Sequence, residues 1–273
     1  MRLFSALRRL LRSLAAAEVG VYAANAAFFI LLSLFPAMLL LIGLLQYTPL
    51  SADDLQAALS GFLPAALAPL LDYMTQELFV SNSVALLSVS AAVAVWSSSR
   101  GVYSLIRGIN RVYRLEETRS YLVLRIRSAI DTVLLLLALV VTLSLHLFGR
   151  QLGQRLGVLG FAVPLQFNHL CIFFVLTVVF CVFYTRFPCQ KQALPAALPG
   201  AVGTAVGWIV FSALFTFYIS KTGSYSFFYG SLSVIAMTML WLYGCMCIFF
   251  YGGMLNAYLA TFSKKKYNFP DSG

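Results

Sequence analysis

Apolar residues along this chain gather into six long runs, roughly 20–46, 82–98, 129–149, 165–187, 195–219 and 231–260, with short polar connections between them. A helix needs about 20 mainly apolar residues to cross the hydrocarbon core of a bilayer. None of the runs shows the alternation of a barrel strand, and a helix satisfies its backbone polar groups internally, so helices are the expected form. The pattern predicts an all-α polytopic membrane protein: six transmembrane helices in a single domain covering 1–273.

Two connections carry a pattern of their own. Between the first and second runs, Asp53 or Asp54 can cap a helix beginning near Leu55, and Gly61 and Pro64 interrupt it before a second apolar stretch. This predicts a helical insert over 50–81, which either caps the bundle or gates a cavity. After the second run the period changes. On a helix at about 100° per residue, Arg100, Arg107, Arg111 and Arg114 lie within roughly 40° of one line. Val102, Leu105, Ile106, Ile109, Val112 and Tyr113 lie opposite. An amphipathic helix over 99–118 is expected at the membrane interface, its apolar face in lipid or on the bundle and its guanidinium edge near lipid phosphates. Either those arginines only fix topology, or they contact anionic head groups.

Composition agrees with the pattern. Of 273 residues 61% are hydrophobic and 10% charged, against about 25% charged in an average soluble domain. The net charge of +10 could point to nucleic acid, but its distribution argues otherwise. Of 19 Lys and Arg, all but Arg150, Arg155 and Lys221 fall in the N-terminal arm, in 99–128, at Arg186 and Lys191, or at Lys264 to Lys266. With six spans these segments share one face, which the positive-inside rule makes cytoplasmic, with both termini inside. No aromatic stacking residues alternate with the arginines on their own face, so no nucleic-acid partner is expected. The first apolar run is too long for a cleavable signal and lacks a clear cleavage site.

Polar residues inside the runs are few. Asn25, Ser33 and Pro36 share a roughly 80° sector of the first helix, where they either line a cavity or form a packing bend. Asp131 opens the third run and is expected to pair with Arg125 or Arg127. Gly203 and Gly207 form a G-x-x-x-G spacing that lets helices approach closely, and Gly230 allows a bend before the sixth helix. Cys171, Cys181, Cys189, Cys245 and Cys247 are odd in number and hold no C-x-x-C pair, so neither a disulfide framework nor a metal site is expected. No nucleotide-binding loop, no cofactor motif and no catalytic constellation is present: the acids expected on the cytoplasmic side are Glu18, Glu116, Glu117, Asp131 and Asp271, with no H-x-E or H-E-x-x-H among them.

Four collinear stretches carry a resemblance. "SSSRGVYSLIRGINRVY" resembles the segment after the second span in the YihY/BrkB family of six-helix bacterial inner-membrane proteins. "YAANAAFFILLSLFPAMLLLIG" resembles its first span, "YTRFPCQKQALPAALPGAVGTAVGW" its fourth-to-fifth connection, and "YGSLSVIAMTMLWLYGCMCIFFYGGMLNAYL" its last span. One position departs: where the family commonly has Gly-Ala-Glu-Leu-Asn, this chain reads Gly252-Gly253-Met254-Leu255-Asn256, so a mechanism that needs that acid is not expected here. The resemblance brings with it a tRNA-processing ribonuclease label and an association with envelope integrity. The first finds no residues here to perform it. The expected role is non-enzymatic, in envelope lipid homeostasis: moving or gating a lipid or amphiphile in the inner membrane, with anionic lipids as partners. A small-solute or ion transporter and a scaffold recruiting envelope machinery remain alternatives, as does a homo-oligomer.

Overall fold

A computed structural model describes residues 18–45, 84–134, 165–221 and 225–266. These form six helices and, among the described residues, no strand. They are α1 (Val19–Leu45), α2 (Val84–Val112), α3 (described over 121–134), α4 (Leu165–Arg186), α5 (Leu194–Lys221) and α6 (Tyr225–Lys266). The expected insert over 50–81, the N-terminal arm and the later part of the third run lie outside the described residues.

The helix ends follow local chemistry. Ser120 accepts the amide of Val123 on its hydroxyl at 3.5 Å and that of Leu124 on its carbonyl at 3.1 Å, so α3 starts at an N-cap, eight residues before the apolar run suggests. The amphipathic segment is not a separate helix over 99–118. It continues the second run as one 29-residue helix, because no proline interrupts 96–112 and Ser99 turns its hydroxyl back onto the Trp96 carbonyl of the same helix instead of capping a new one. It stops in a Schellman motif: Leu115 donates to the Asn110 carbonyl at 2.9 Å and Arg114 to that of Arg111 at 3.1 Å, with Arg114 at φ 54°. Glycine normally takes that left-handed position. α6 likewise runs 42 residues, and Gly230 falls inside it rather than at its entrance.

α1 packs lengthwise and antiparallel on α2, and α6 touches α1, α2 and α5, while α4 lies on α5. Small residues make the close contacts. Ala23, Ala26 and Ala27 are buried on α1; Gly101 of α2 lies against Ala26 and Ile30, and Gly108 against Tyr22 and the Phe250 ring of α6. On α5, Ala197, Gly200, Ala201, Thr204 and Ala205 are buried, whereas Leu198, Val202, Val206, Val210 and Leu214 on the other face are exposed. On α5, small residues and a threonine are thus turned inward and large aliphatic residues outward. A soluble protein would reverse this; it is the arrangement lipid favours, where van der Waals packing and interhelical hydrogen bonds hold helices together. Leu194–Lys221 and Ser233–Ala260 are each long and apolar enough to cross a membrane.

Candidate functional site

The end of α2, the start of α3, the end of α4, the start of α5 and the last turns of α6 meet at one end of the bundle, where Asn110, Asp131, Thr204 and Asn256 are all buried. Pro199 lacks the amide that would continue the α5 ladder. Asn256, 2% exposed, reaches across from α6 to this turn. Its Oδ1 accepts the Gly200 amide at 2.6 Å and its Nδ2 donates to the Ala197 carbonyl at 3.0 Å. A side-chain amide thus serves as an extra peptide group, clamping α6 to α5.

The crossing is close. A Cβ on Gly200 would run into the Gly252 carbonyl and the Asn256 side chain, and one on Gly252 into the Thr204 and Tyr184 hydroxyls. Tyr184, fully buried, donates to the Phe249 carbonyl at 2.5 Å and accepts from Thr204 at 2.7 Å. Met254 is buried in the same core, so the place where the family commonly carries an acid is here filled by an apolar side chain. Tyr113 lies beside Asn256, but its buried hydroxyl closes no well-formed hydrogen bond; burial pushes its pKa up to about 12.

A second polar layer ties the connections together. Asn110 stands on the apolar side of α2, fully buried. Its Nδ2 donates to Glu117 at 2.5 Å and its Oδ1 accepts the Cys189 amide at 2.9 Å. Glu117 in turn takes Arg119 at 2.6 and 2.7 Å on its two oxygens. Burial would raise the Glu117 pKa, but the hydrogen bonds and charge of Arg119 outweigh it and hold the carboxyl below its ordinary value.

Asp131, 5% exposed, accepts from Arg186 of α4 at 3.1 Å and lies 3.8 Å from Arg127. Arg127 also donates to the Arg186 carbonyl. Arg125, expected in this pair, is elsewhere: six residues before Asp131 is roughly 240° around a helix, so it faces away. It sits 4.7 Å from the Trp96 ring centroid and donates to the Trp96 carbonyl at 3.3 Å.

The remaining expected residues separate. Arg100, Arg107 and Arg111 are exposed along the outer edge of α2, while Arg114 lies past its end in the Schellman turn. Asn25 is exposed, whereas the buried Ser33 donates to the Ile30 carbonyl of its own helix at 2.8 Å and Pro36 is half-buried. The structure does not bring Asn25 and Ser33 onto a common buried face. Gly203 has only ordinary contact with Leu255, and Gly207 approaches Ile248 more closely. Among the described residues no group of three or more His, Cys, Asp or Glu is placed to hold a metal ion.

Sequence reading alone passed over Asn110, Tyr184, Thr204, Arg186 and Trp96. Asn110 was the most legible, as a polar residue set between Ile106, Ile109 and Val112 on an otherwise apolar face. The others act through partners far away in sequence.

Known proteins resemble this chain over most of its length. The chain is 33% identical over 242 residues to the ribonuclease-like protein YfkH of Bacillus subtilis (strain 168), covering 86% of this chain and 88% of that one. It is 24% identical over 193 residues to a UPF0761 membrane protein of Actinobacillus pleuropneumoniae serotype 5b (strain L20), covering 70% and 69%. No solved structure matches. Residues 10–271 match the family described as virulence factor BrkB. With that match spanning nearly its whole length, the chain belongs to the BrkB family of membrane proteins.

Proposed function

We propose that this protein is a six-span inner-membrane protein with both termini in the cytoplasm, and that it moves or gates an anionic lipid without enzymatic chemistry. The observation that carries the reading is the outward edge of α2. Val89, Val93 and Trp96 are exposed along it and lead to the exposed Arg100, Arg107 and Arg111. An apolar stripe passing through an indole into guanidiniums matches the polarity profile of one leaflet, from acyl chain to phosphate. Each arginine there contributes about 1 kcal/mol toward an anionic surface.

The ribonuclease-like name belongs to the Bacillus protein. In this chain the two acids enclosed at the junction are already paired, Asp131 with Arg186 and Arg127 and Glu117 with Arg119, and Glu116 beside them is exposed. A phosphodiesterase needs carboxylates or histidines free to bind metal or shuttle protons.

The test is translocation of a fluorescent anionic lipid in proteoliposomes, read with a membrane-impermeant quencher. Native protein is compared with the Arg100→Gln/Arg107→Gln/Arg111→Gln/Arg114→Gln variant. Transport lost in a folded variant supports the reading; no transport above empty liposomes overturns it.

A further inference from the structure

Two arginines from different helices converge on one exposed indole. Arg100, one helical turn beyond Trp96, has its guanidinium carbon 5.8 Å from the Trp96 ring centroid and 5.3 Å from that of Phe29 on α1. Arg125 of α3 lies 4.7 Å from the same indole. These are cation–π distances. A guanidinium lying over a ring spends its face there and keeps most of its five N–H donors, which point outward in its plane.

Among the described residues no carboxylate pairs with either arginine; the ion pairs of this end involve Arg119, Arg127 and Arg186 instead. Two like charges thus share one aromatic platform with no counter-ion among the described residues. Trp96 is 61% exposed. Val93 and Val89, at three and seven residues before it on the same helix edge, are exposed as well. They extend an apolar track of about 10 Å from the indole, given a rise of 1.5 Å per residue.

We infer that Trp96, Arg100 and Arg125 form a discrete binding site for one anionic phospholipid. Its phosphate lies between the two guanidiniums, and an acyl chain runs past Trp96 along Val93 and Val89. The charge calls for an anion, the paired planar donors for phosphate, and the adjoining track for a hydrocarbon chain, so the occupant is a lipid rather than free phosphate. The inference rests on reading the outward edge of α2 as lipid-facing. It adds Arg125, which lies on another helix, and makes the contact a site rather than a charged surface.

The experiment is quenching of Trp96 fluorescence in the full-length reconstituted protein by brominated phosphatidylglycerol or brominated phosphatidylcholine. Trp96→Phe identifies the quenched component. Native protein should reach half-quenching at a roughly tenfold lower fraction of the anionic lipid. In Arg100→Gln/Arg125→Gln the two curves should coincide, while Lys191→Gln, which removes an exposed cation on the α4–α5 connection, should leave the preference intact. Should the double variant not fold, Arg125→Gln alone carries the test, because its described contacts are only with Trp96.

Equal curves in the native protein, or a preference unchanged by the Arg100/Arg125 substitutions, would overturn the site. So would loss of the preference in millimolar inorganic phosphate, which would make free phosphate the occupant. The transport reading fails separately: a protein that keeps the Trp96 preference but moves no lipid retains the site and loses that function.

Discussion

Asn256→Ala removes the side chain that joins α6 to α5. Two hydrogen bonds go with it, to the Gly200 amide at 2.6 Å and the Ala197 carbonyl at 3.0 Å, at a position 2% exposed. Interhelical hydrogen bonds in membrane proteins average about 0.6 kcal/mol and reach about 1.7. A buried amide left without an acceptor costs about 1–3 kcal/mol more. No water reaches this crossing easily, since Gly200 and Gly252 bring the two backbones together. The expected loss is therefore about 2–4 kcal/mol. Thr238→Val is the matched control: Thr238 is also buried, but it bonds only to the Val234 carbonyl of its own helix at 2.7 Å, and its replacement should cost less than about 1 kcal/mol. Both variants are measured against native protein by reversible unfolding in mixed micelles of dodecylmaltoside and sodium dodecyl sulfate. If Asn256→Ala costs no more than Thr238→Val, the clamp contributes nothing and the account of the α5–α6 crossing is wrong.

Gly252→Ala should be the most damaging small substitution at the junction. Its new methyl meets the Thr204 and Tyr184 hydroxyls and the Gly200 carbonyl, so folded yield on size exclusion should fall steeply, while Gly203→Ala should be tolerated. Arg186→Met should destabilise by about 1–3 kcal/mol, because it removes the nearer partner of a buried carboxylate; Arg127→Met, removing the partner at 3.8 Å, should cost less in the same unfolding assay. Glu117 has a folded pKa held below its unfolded value near 4.5, so its contribution is present above that value and lost as pH falls through the folded pKa. Glu117→Gln should therefore lose less stability than native protein on acidification below about 4.5. Tyr113 has the opposite sign: its pKa rises from 10.0 to about 12, so that its contribution is present below 10 and lost on going from there toward 12. Tyr113→Phe should flatten that alkaline decline in thermal melts.

The all-α class, two helices long and apolar enough to cross a membrane, and the arginine edge of α2 were legible in the order of residues alone. Hydropathy and a 3.6-residue period are local properties, and a helix in lipid satisfies its backbone without help from distant chain. Helix ends were less legible. Ser120 begins α3 early, and the Schellman turn at Arg114 ends α2 at Val112, because a cap depends on single hydrogen bonds rather than on average polarity.

The pairings belong to the tertiary structure. Asp131 takes Arg186, 55 residues away, in preference to its neighbour Arg125, because helical phase turns Arg125 outward and the end of α4 arrives where the carboxylate points. Freed from that pair, Arg125 meets Trp96, 29 residues earlier. Gly200 and Gly252 mark the crossing of α5 and α6 more closely than the recognisable G-x-x-x-G of Gly203 and Gly207. Both pairs suit close contact by composition, and only the rotation of each helix about its axis decides which meets its partner. A sequence specifies what each helix can bury; which groups face each other depends on how the helices cross, and that is set by all the packed surfaces together.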